Sequence, residues 1–422
     1  MKEKGRNKTS SHSVIKKDMK EFRVGQNTPT PTALLREAKQ WGDELKKLRA
    51  ERLLRKLYTI DLSSNSRARV LIKGQNYINF SSNDYLGLAG HPDITKAAVK
   101  ALNKYGLGSG ASRLLSGTYS PHKKLEARLA RFKRTESALV FNTGYSANTG
   151  IIPAIAGRDA VIFSDELNHA SIVDGARLAR AKVQLYRHRD MDHLESLLKK
   201  CHQKKLIITD TVFSMDGDIA PLKDIVFLRG KYRAFLMIDD AHATGVLGKK
   251  ARGGLEHFNI RADGIIQMGT LSKAVGCFGG YAAGSKALID FLINRARSFI
   301  YSTSFPPAIA EAAIKAIDIV DSGSQKRREK LWKNRHRLFQ GLNVLGFDTL
   351  DSETPIIPLF LGDVKRTLKI SRYLYNEKIF APAIRPPTVA KGQCRIRFSV
   401  TSAHTYKDID TVLDSLRRFR DQ

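Results

Sequence analysis

Between about residues 137 and 285 the chain alternates short apolar runs with longer amphipathic ones. The apolar runs fall at 138–142, 160–163, 183–186, 206–211, 234–239, 264–268 and 280–283. Leu236-Met237-Ile238 is apolar throughout rather than alternating, which predicts a strand buried on both faces. Helical segments are predicted near 146–156, 169–179, 191–200 and 222–231. Strand–helix alternation of this kind predicts a mostly parallel sheet covered by helices on both sides.

Outside this region the texture changes. Leu34, Leu35, Trp41, Leu45, Leu48, Leu53 and Leu54 recur at helical spacing from Thr32 to about Tyr58. Val70–Ile72 and Tyr77–Phe80 flank Lys73-Gly74-Gln75-Asn76, a hairpin signal. After Ser285, helices are predicted over Lys286–Ser298, Pro307–Val320 and from Gln325 to about Leu345, with short strands at 356–361 and 395–400. The expected organisation is a disordered basic extension over 1–31, a helix and hairpin over 32–80 packing on the small domain, a large α/β domain over 81–300 and a smaller C-terminal α+β domain over 301–422.

Composition narrows the class. With 422 residues a large core is possible, and no apolar run is long enough to cross a membrane. Residues 1–31 lack the apolar stretch of a secretory signal. Cys201, Cys277 and Cys394 are far apart and form no metal-type spacing, which fits free thiols in a cytoplasmic protein and no bound metal. The net charge is +31, from 72 Lys and Arg against 41 Asp and Glu. The basic residues are spread along the chain without a nucleic-acid-binding signature, so nucleic acid is not the expected partner. Either a general compositional bias or attraction to an anionic partner accounts for the charge.

The candidate chemistry sits where strands end. Lys273, in Gly269-Thr270-Leu271-Ser272-Lys273, follows one apolar run; Asp239, in Ile238-Asp239-Asp240-Ala241-His242, ends another. Ligands in open α/β sheets bind outside the carboxyl ends of strands. A lysine and an aspartate delivered there suit pyridoxal phosphate: the lysine forms the Schiff base and the aspartate pairs with the ring nitrogen. A carboxylate at a buried strand end is costly unless paired. Phe141-Asn142-Thr143-Gly144-Tyr145 runs from a strand into a helix start, where free amides can hold a phosphate and Tyr145 can cover a ring. His169 can stack on that ring, although Asn168-His169-Ala170-Ser171 also reads as a helix cap. Ser214 and His242 are placed to reach the phenolic edge, and Thr270 the phosphate. Arg385, in Arg385-Pro386-Pro387-Thr388-Val389, offers a fork for a substrate carboxylate.

These residues resemble the α-oxoamine synthases, a family of fold-type-I pyridoxal-phosphate transferases. The likeness covers roughly residues 45–415. It is carried by Phe80-Ser81-Ser82-Asn83-Asp84-Tyr85-Leu86-Gly87-Leu88, Gly108-Ser109-Gly110-Ala111-Ser112-Arg113, Asn168-His169-Ala170-Ser171, Phe213-Ser214-Met215-Asp216-Gly217-Asp218, Asp239-Asp240-Ala241-His242, Gly269–Lys273 and Tyr301-Ser302-Thr303-Ser304-Phe305-Pro306-Pro307. Arg385–Val389 and Arg395-Ile396-Arg397 are similar to the branch that makes 8-amino-7-oxononanoate.

The resemblance implies an internal aldimine at Lys273, which also removes the α-proton, and a ring-nitrogen partner in Asp239. It implies that His169 stacks on the ring, that Ser214 and His242 meet the phenolic oxygen, and that Gly144, Tyr145 and Thr270 serve the phosphate. Arg55, Asn83, His169, Arg385 and Thr388 would meet substrate. Thr303 would complete the site from the other subunit of a homodimer. The implied reaction joins L-alanine to pimeloyl-CoA or a pimeloyl acyl carrier protein in biotin biosynthesis, with loss of CO2. A sister reaction with glycine or serine and another acyl-CoA is the alternative. Val389-Ala390-Lys391-Gly392 departs from the family, where a second proline commonly follows the valine, and the family has no catalytic use for so long and basic an N-terminal extension.

Overall fold

The computed structural model describes residues 31–62 and 64–421, with side chains from Lys39 onward. The extension expected to be disordered over 1–31 lies, Pro31 apart, outside the described residues. The first described helix spans Pro31–Ala50. It stops before the expected Tyr58, because Arg52 takes φ 60° and the amides of Leu53 and Leu54 turn back to Leu48 O. A left-handed residue closing the last turn in this way ends a helix whatever the apolar spacing beyond it. This helix belongs to a unit that ends at Lys56; residues from Leu57 onward form the other.

In the second unit, β1 (Arg69–Ile72) and β2 (Gln75–Asn79) form the expected hairpin. Its two-residue turn places Lys73 at φ 51° and Gly74 at φ 73°, the positive pair that matches the twist of a tight hairpin. Seven strands build the main sheet: β3 (Ser137–Phe141), β4 (Ala160–Asp165), β5 (Lys182–Tyr186), β6 (Lys204–Asp210), β7 (Phe235–Asp239), β8 (Ile265–Thr270) and β9 (Gly280–Gly284). Their order is β3-β9-β8-β7-β6-β4-β5. Strands β4 to β8 run parallel, and β9 lies antiparallel between β3 and β8.

Both faces are dry. Ile162, Ile208, Met237 and Ile266 pack on one side with Ile151 and Ile172; Val161, Ile207, Leu236 and Ile238 pack on the other with Leu194, Leu198 and Ile225. Alternate residues of one strand thus enter opposite cores, which is why Leu236-Met237-Ile238 is apolar without a gap. Each side chain so buried contributes roughly 1.5–3 kcal/mol.

The C-terminal part adds β10 (Ile356–Gly362), β11 (Ile379–Phe380), β12 (Ala383–Ile384) and β13 (Cys394–Ser399). Strand β13 pairs antiparallel with β10 and β12. Strand β11 joins the hairpin, pairing parallel with β2. Two helices, Pro92–Tyr105 and Ser120–Lys133, lie where no element was expected. The expected helix over Lys286–Ser298 ends at Arg295, because Ala296 is extended at φ −73°, ψ 102°.

Candidate active site

The parallel strands deliver their last residues to one edge. Asp165 ends β4, Asp210 ends β6, Asp239 ends β7 and Thr270 ends β8, with Lys273 three residues further on. Asp210 and Asp239 are register partners on adjacent strands. Main-chain pairing therefore forces two carboxyl groups together in a buried place. The consequence is electrostatic. Burial, and then the neighbouring Asp239, push the Asp210 carboxyl well above its ordinary range.

Asp239 is nearly fully buried. Its Oδ1 accepts from Ala241 N at 2.9 Å and its Oδ2 from Asn148 Nδ2 at 2.8 Å. No cation stands within ion-pair distance of it among the described residues. The adjacent Asp240 is different: it meets Lys133 Nζ at 2.7 Å and Thr211 Oγ1 at 2.5 Å, all fully buried. One aspartate is thus closed into the fold by its own cation, and the other keeps acceptor capacity for a cationic group from outside.

Asn148 extends this arrangement. Its Nδ2 also donates to Ser171 Oγ at 2.8 Å, and Ser171 Oγ lies 2.7 Å from His169 Nδ1. Because Ser171 N donates to the same Nδ1, that nitrogen is an acceptor and the ring proton sits on Nε2. His169 N is fixed to Asp210 Oδ2 at 2.7 Å. His169 therefore caps the helix Ala170–Ala179 and keeps an open ring face; the two sequence readings are compatible. Partial loss of solvent around the ring lowers its pKa, with Asp239 opposing and Lys273 assisting.

Lys273 Nζ lies 2.8 Å from His242 Nε2. Loss of solvent pushes its pKa down to about 8, with Asp239 and Asp210 resisting and Arg397 assisting. Burial, and then the charges of Lys273 and Arg397, hold His242 well below the usual imidazole range, so it is neutral. His242 Nδ1 meets Tyr85 Oη at 2.8 Å. Arg397 donates to Asn83 Oδ1 at 3.1 Å, to Ser399 Oγ at 2.8 Å and to the carbonyl of Ser214.

At the other end of the site, Gly144 begins the helix Gly144–Ile155, capped by Thr143, whose side chain accepts from Ser146 N at 2.9 Å. A Cβ on Gly144 would stand 3.2 Å from Met268 Cε and 3.5 Å from Thr270 Cβ, so this turn is pressed against the end of β8. Thr270 Oγ1 donates to Gly279 O at 2.8 Å and accepts from Ser272 N at 3.2 Å. Its hydroxyl thus shapes the turn that carries Lys273. Tyr145 is half exposed and its hydroxyl donates to Asp174. Thr303 bridges to Ser112, and its carbonyl accepts from Asn142 Nδ2 at 2.8 Å.

The structure thus brings together Lys273, His242, Asn83, Asp239, His169 and Gly144, and places Ser214 by its backbone. Arg385 and Thr388 share one turn, Thr388 N donating to Arg385 O at 3.1 Å. Arg55 is exposed and lies in the unit ending at Lys56. Tyr85, Asn148, Asp210 and Arg397 belong to this cluster and were not singled out as site residues. A signal for Arg397 existed: in Arg395-Ile396-Arg397 the period of two puts both guanidinium groups on one face of a strand.

These residues suit pyridoxal phosphate. A lysine of depressed pKa, a buried strand-end carboxylate with no cation in ion-pair distance among the described residues and amides at a helix start match its aldehyde, ring nitrogen and phosphate.

Comparison with known proteins agrees. The profile of the family described as aminotransferase class I and II matches residues 75–416. The 8-amino-7-oxononanoate synthase of Geobacter sulfurreducens is 50% identical over 379 residues, covering 89% of this chain and 96% of that protein. The enzyme of that name from Citrifermentans bemidjiense is 52% identical over 374 residues, covering 88% and 95%. Among solved structures, a serine palmitoyltransferase from S. paucimobilis with a bound PLP–myriocin aldimine aligns with TM-score 0.85 and 31% identity, over 91% of this chain and 98% of that one. An 8-amino-7-oxononanoate synthase from Francisella tularensis aligns with TM-score 0.71 and 28% identity, over 82% and 98%.

Proposed function

The chain belongs to the aminotransferase class I and II family, and on that premise we propose that it condenses L-alanine with a pimeloyl thioester. The products are 8-amino-7-oxononanoate, CO2 and the free thiol, and the thioester is carried by CoA or by an acyl carrier protein. The reading is supported above all by the identity of about half of the chain's residues to synthases of that name over most of its length.

When bound, pyridoxal phosphate supplies a carbonyl for the substrate amine and an electron sink for the carbanion at its α-carbon. The protein supplies the rest. Lys273, with a pKa of about 8, is neutral enough near physiological pH to act as nucleophile and base. Asp239 holds the ring nitrogen protonated, and Asn148 with Ala241 N fixes its carboxylate. His169, with its proton on Nε2 and its ring face open, stacks on the cofactor and donates to the developing oxyanion or carboxylate. Gly144, Tyr145 and Thr270 serve the phosphate, and Ser214 and His242 the phenolic edge. Asn83, Arg385, Thr388 and Arg397 receive the substrate carboxylate, and Arg55 is reserved for the acyl chain.

The active unit in this reading is a cytoplasmic homodimer with shared sites, Thr303 of each subunit completing the site of the other. Leu107, Leu114, Leu115 and Tyr301 are all at least half exposed and lie in sequence beside the Ser112–Thr303 bridge, an apolar surface suited to such a partner. The division into an N-terminal segment over 32–80, a large domain over 81–300 and a small one over 301–422 is kept as part of this proposal.

Free thiol release by purified protein with L-alanine and pimeloyl-CoA tests the reaction. Release with glycine or serine but not with alanine would assign the chain to a sister reaction.

A further inference from the structure

Most groups around Lys273 have a part in the chemistry above, and Tyr85 has none. Its ring is 1% exposed, and its hydroxyl has three neighbours: His242 Nδ1 at 2.8 Å, Asn83 Oδ1 at 3.3 Å and Arg397 Nη2 at 3.4 Å. Burial raises its pKa and Arg397 offsets this only in part, so the phenol keeps its proton.

A hydroxyl has one proton to donate, and a neutral imidazole carries one proton on one of two nitrogens. Two arrangements satisfy every group. In the first, Tyr85 donates to Asn83, His242 carries its proton on Nδ1 and donates it to Tyr85, and His242 Nε2 accepts. In the second, Tyr85 donates to His242 Nδ1, its oxygen accepts from Arg397, and His242 Nε2 carries a proton to give away. Lys273 Nζ at 2.8 Å from Nε2 selects the first whenever the lysine is an ammonium, because an ammonium can only donate. A group at Nε2 that can only accept selects the second.

We propose that Tyr85 is a positioning residue that sets the tautomer of His242, letting Nε2 accept from Lys273 in the free protein and donate to the phenolic oxygen of the bound cofactor. The proposal rests on the reading that this site holds pyridoxal phosphate with its phenolic edge at His242. The exchange breaks Nδ1–H and forms Nε2–H of the same neutral imidazole, one proton being given up to water and one taken from it while the open site admits solvent, and the Tyr85 hydroxyl turns from Asn83 to Nδ1; the net charge of the pair is unchanged, and no buried donor is stranded on either side. The charged and titratable groups facing the pair are Lys273 on the turn after β8, Arg397 on β13 and His169 at the start of the helix Ala170–Ala179, with Asp239 and Asp210 acting through Lys273. A donor at the phenolic oxygen favours its ionised form.

Tyr85→Phe keeps the shape and removes the hydroxyl. In the holoenzyme its visible cofactor absorption is expected to titrate at a pH higher by about one unit, the equivalent of one neutral hydrogen bond. The kcat should fall with the KM for alanine little changed. With 15N-labelled histidine, the His242 signals, identified by their absence in His242→Asn, should show a protonated Nε2 in the wild-type holoenzyme and lose that preference in Tyr85→Phe. Unchanged midpoint and unchanged 15N signals in the variant overturn the proposal. The cofactor-free wild-type protein below pH 8 gives an independent reading: His242 carries its proton on Nδ1 there, and a protonated Nε2 overturns the proposal without any variant. A wild-type protein that takes up no pyridoxal phosphate would instead refute the reading of the site.

Discussion

Lys273 shows how position changes a side chain. Water loss favours its neutral amine, and two aspartates at strand ends resist that shift. The neutral amine is the nucleophile, so uptake of pyridoxal phosphate by the cofactor-free protein should speed up as pH rises through about 8. Asp239→Asn removes the first of the resisting charges, and its midpoint should lie lower. Stopped-flow absorbance against pH measures both, and a midpoint that stayed in place in the variant would contradict this account. Asn148 is the next residue outward. It holds Asp239 and Ser171 with one amide nitrogen, so Asn148→Ala should cost about 1–3 kcal/mol by denaturant unfolding and weaken cofactor binding. An unchanged midpoint of unfolding would mean that these bonds are made equally well by water.

The loop Phe213–Ile219, between β6 and β7, carries Ser214, and elements far apart in sequence hold it. From β13, Arg395 bonds the Asp216 carboxylate and Arg397 the Ser214 carbonyl. Glu353 N donates to Gly217 O at 3.1 Å, and its side chain accepts from Ile219 N at 3.1 Å. A Cβ on Gly217 would come 2.0 Å from Ile356 O, and φ is +77° there, so only glycine lets the loop meet β10. From the main sheet, His188 lies 2.9 Å from Asp165 Oδ1 and 2.7 Å from Asp218 Oδ2. Burial opposes its charge, but the two carboxylates overcome this and raise its pKa to about 9. A raised imidazole stabilises the fold fully below its unfolded pKa of about 6.5, and that stability is lost as pH rises through 9. This charge is worth up to about 3 kcal/mol to the fold. Urea unfolding from pH 6 to 10 should show this decline in the wild-type protein and a flatter profile in His188→Gln. The loop motif Phe213–Asp218 was legible in the sequence, but its anchors were not: each joins residues more than 20 positions apart that no spacing pattern links.

Across the whole molecule the charge of +31 has no internal counterpart, since 72 cationic residues face 41 acidic ones. If the thioester arrives on an acidic carrier protein, its KM should rise several-fold with salt while that for pimeloyl-CoA rises less, because a Debye length of about 8 Å screens extended charged surfaces. A salt-independent KM would leave the charge unconnected with the substrate. Sedimentation equilibrium should return the mass of two chains, and a monomer that is fully active would remove Thr303 from the shared site.

Local patterning determined the strands of the main sheet to within a few residues, the β1–β2 hairpin, and the placing of Lys273, Asp239, His169 and Gly144 at strand or helix ends. Those features follow from short-range rules: a period of two, apolar runs buried on both faces, and glycine where the chain turns. Tertiary structure alone decided the antiparallel insertion of β9, the register that sets Asp210 against Asp239, and the approach of Tyr85 and Arg397 to His242, which are separated by 157 and 155 positions from it. It also decided that Asp240 is closed by Lys133 while Asp239 accepts from Asn148 and Ala241 N and has no cation within ion-pair distance among the described residues. Two neighbouring aspartates look alike in sequence; what separates them is which cation the fold brings within 3 Å, and that is a property of packing rather than of pattern.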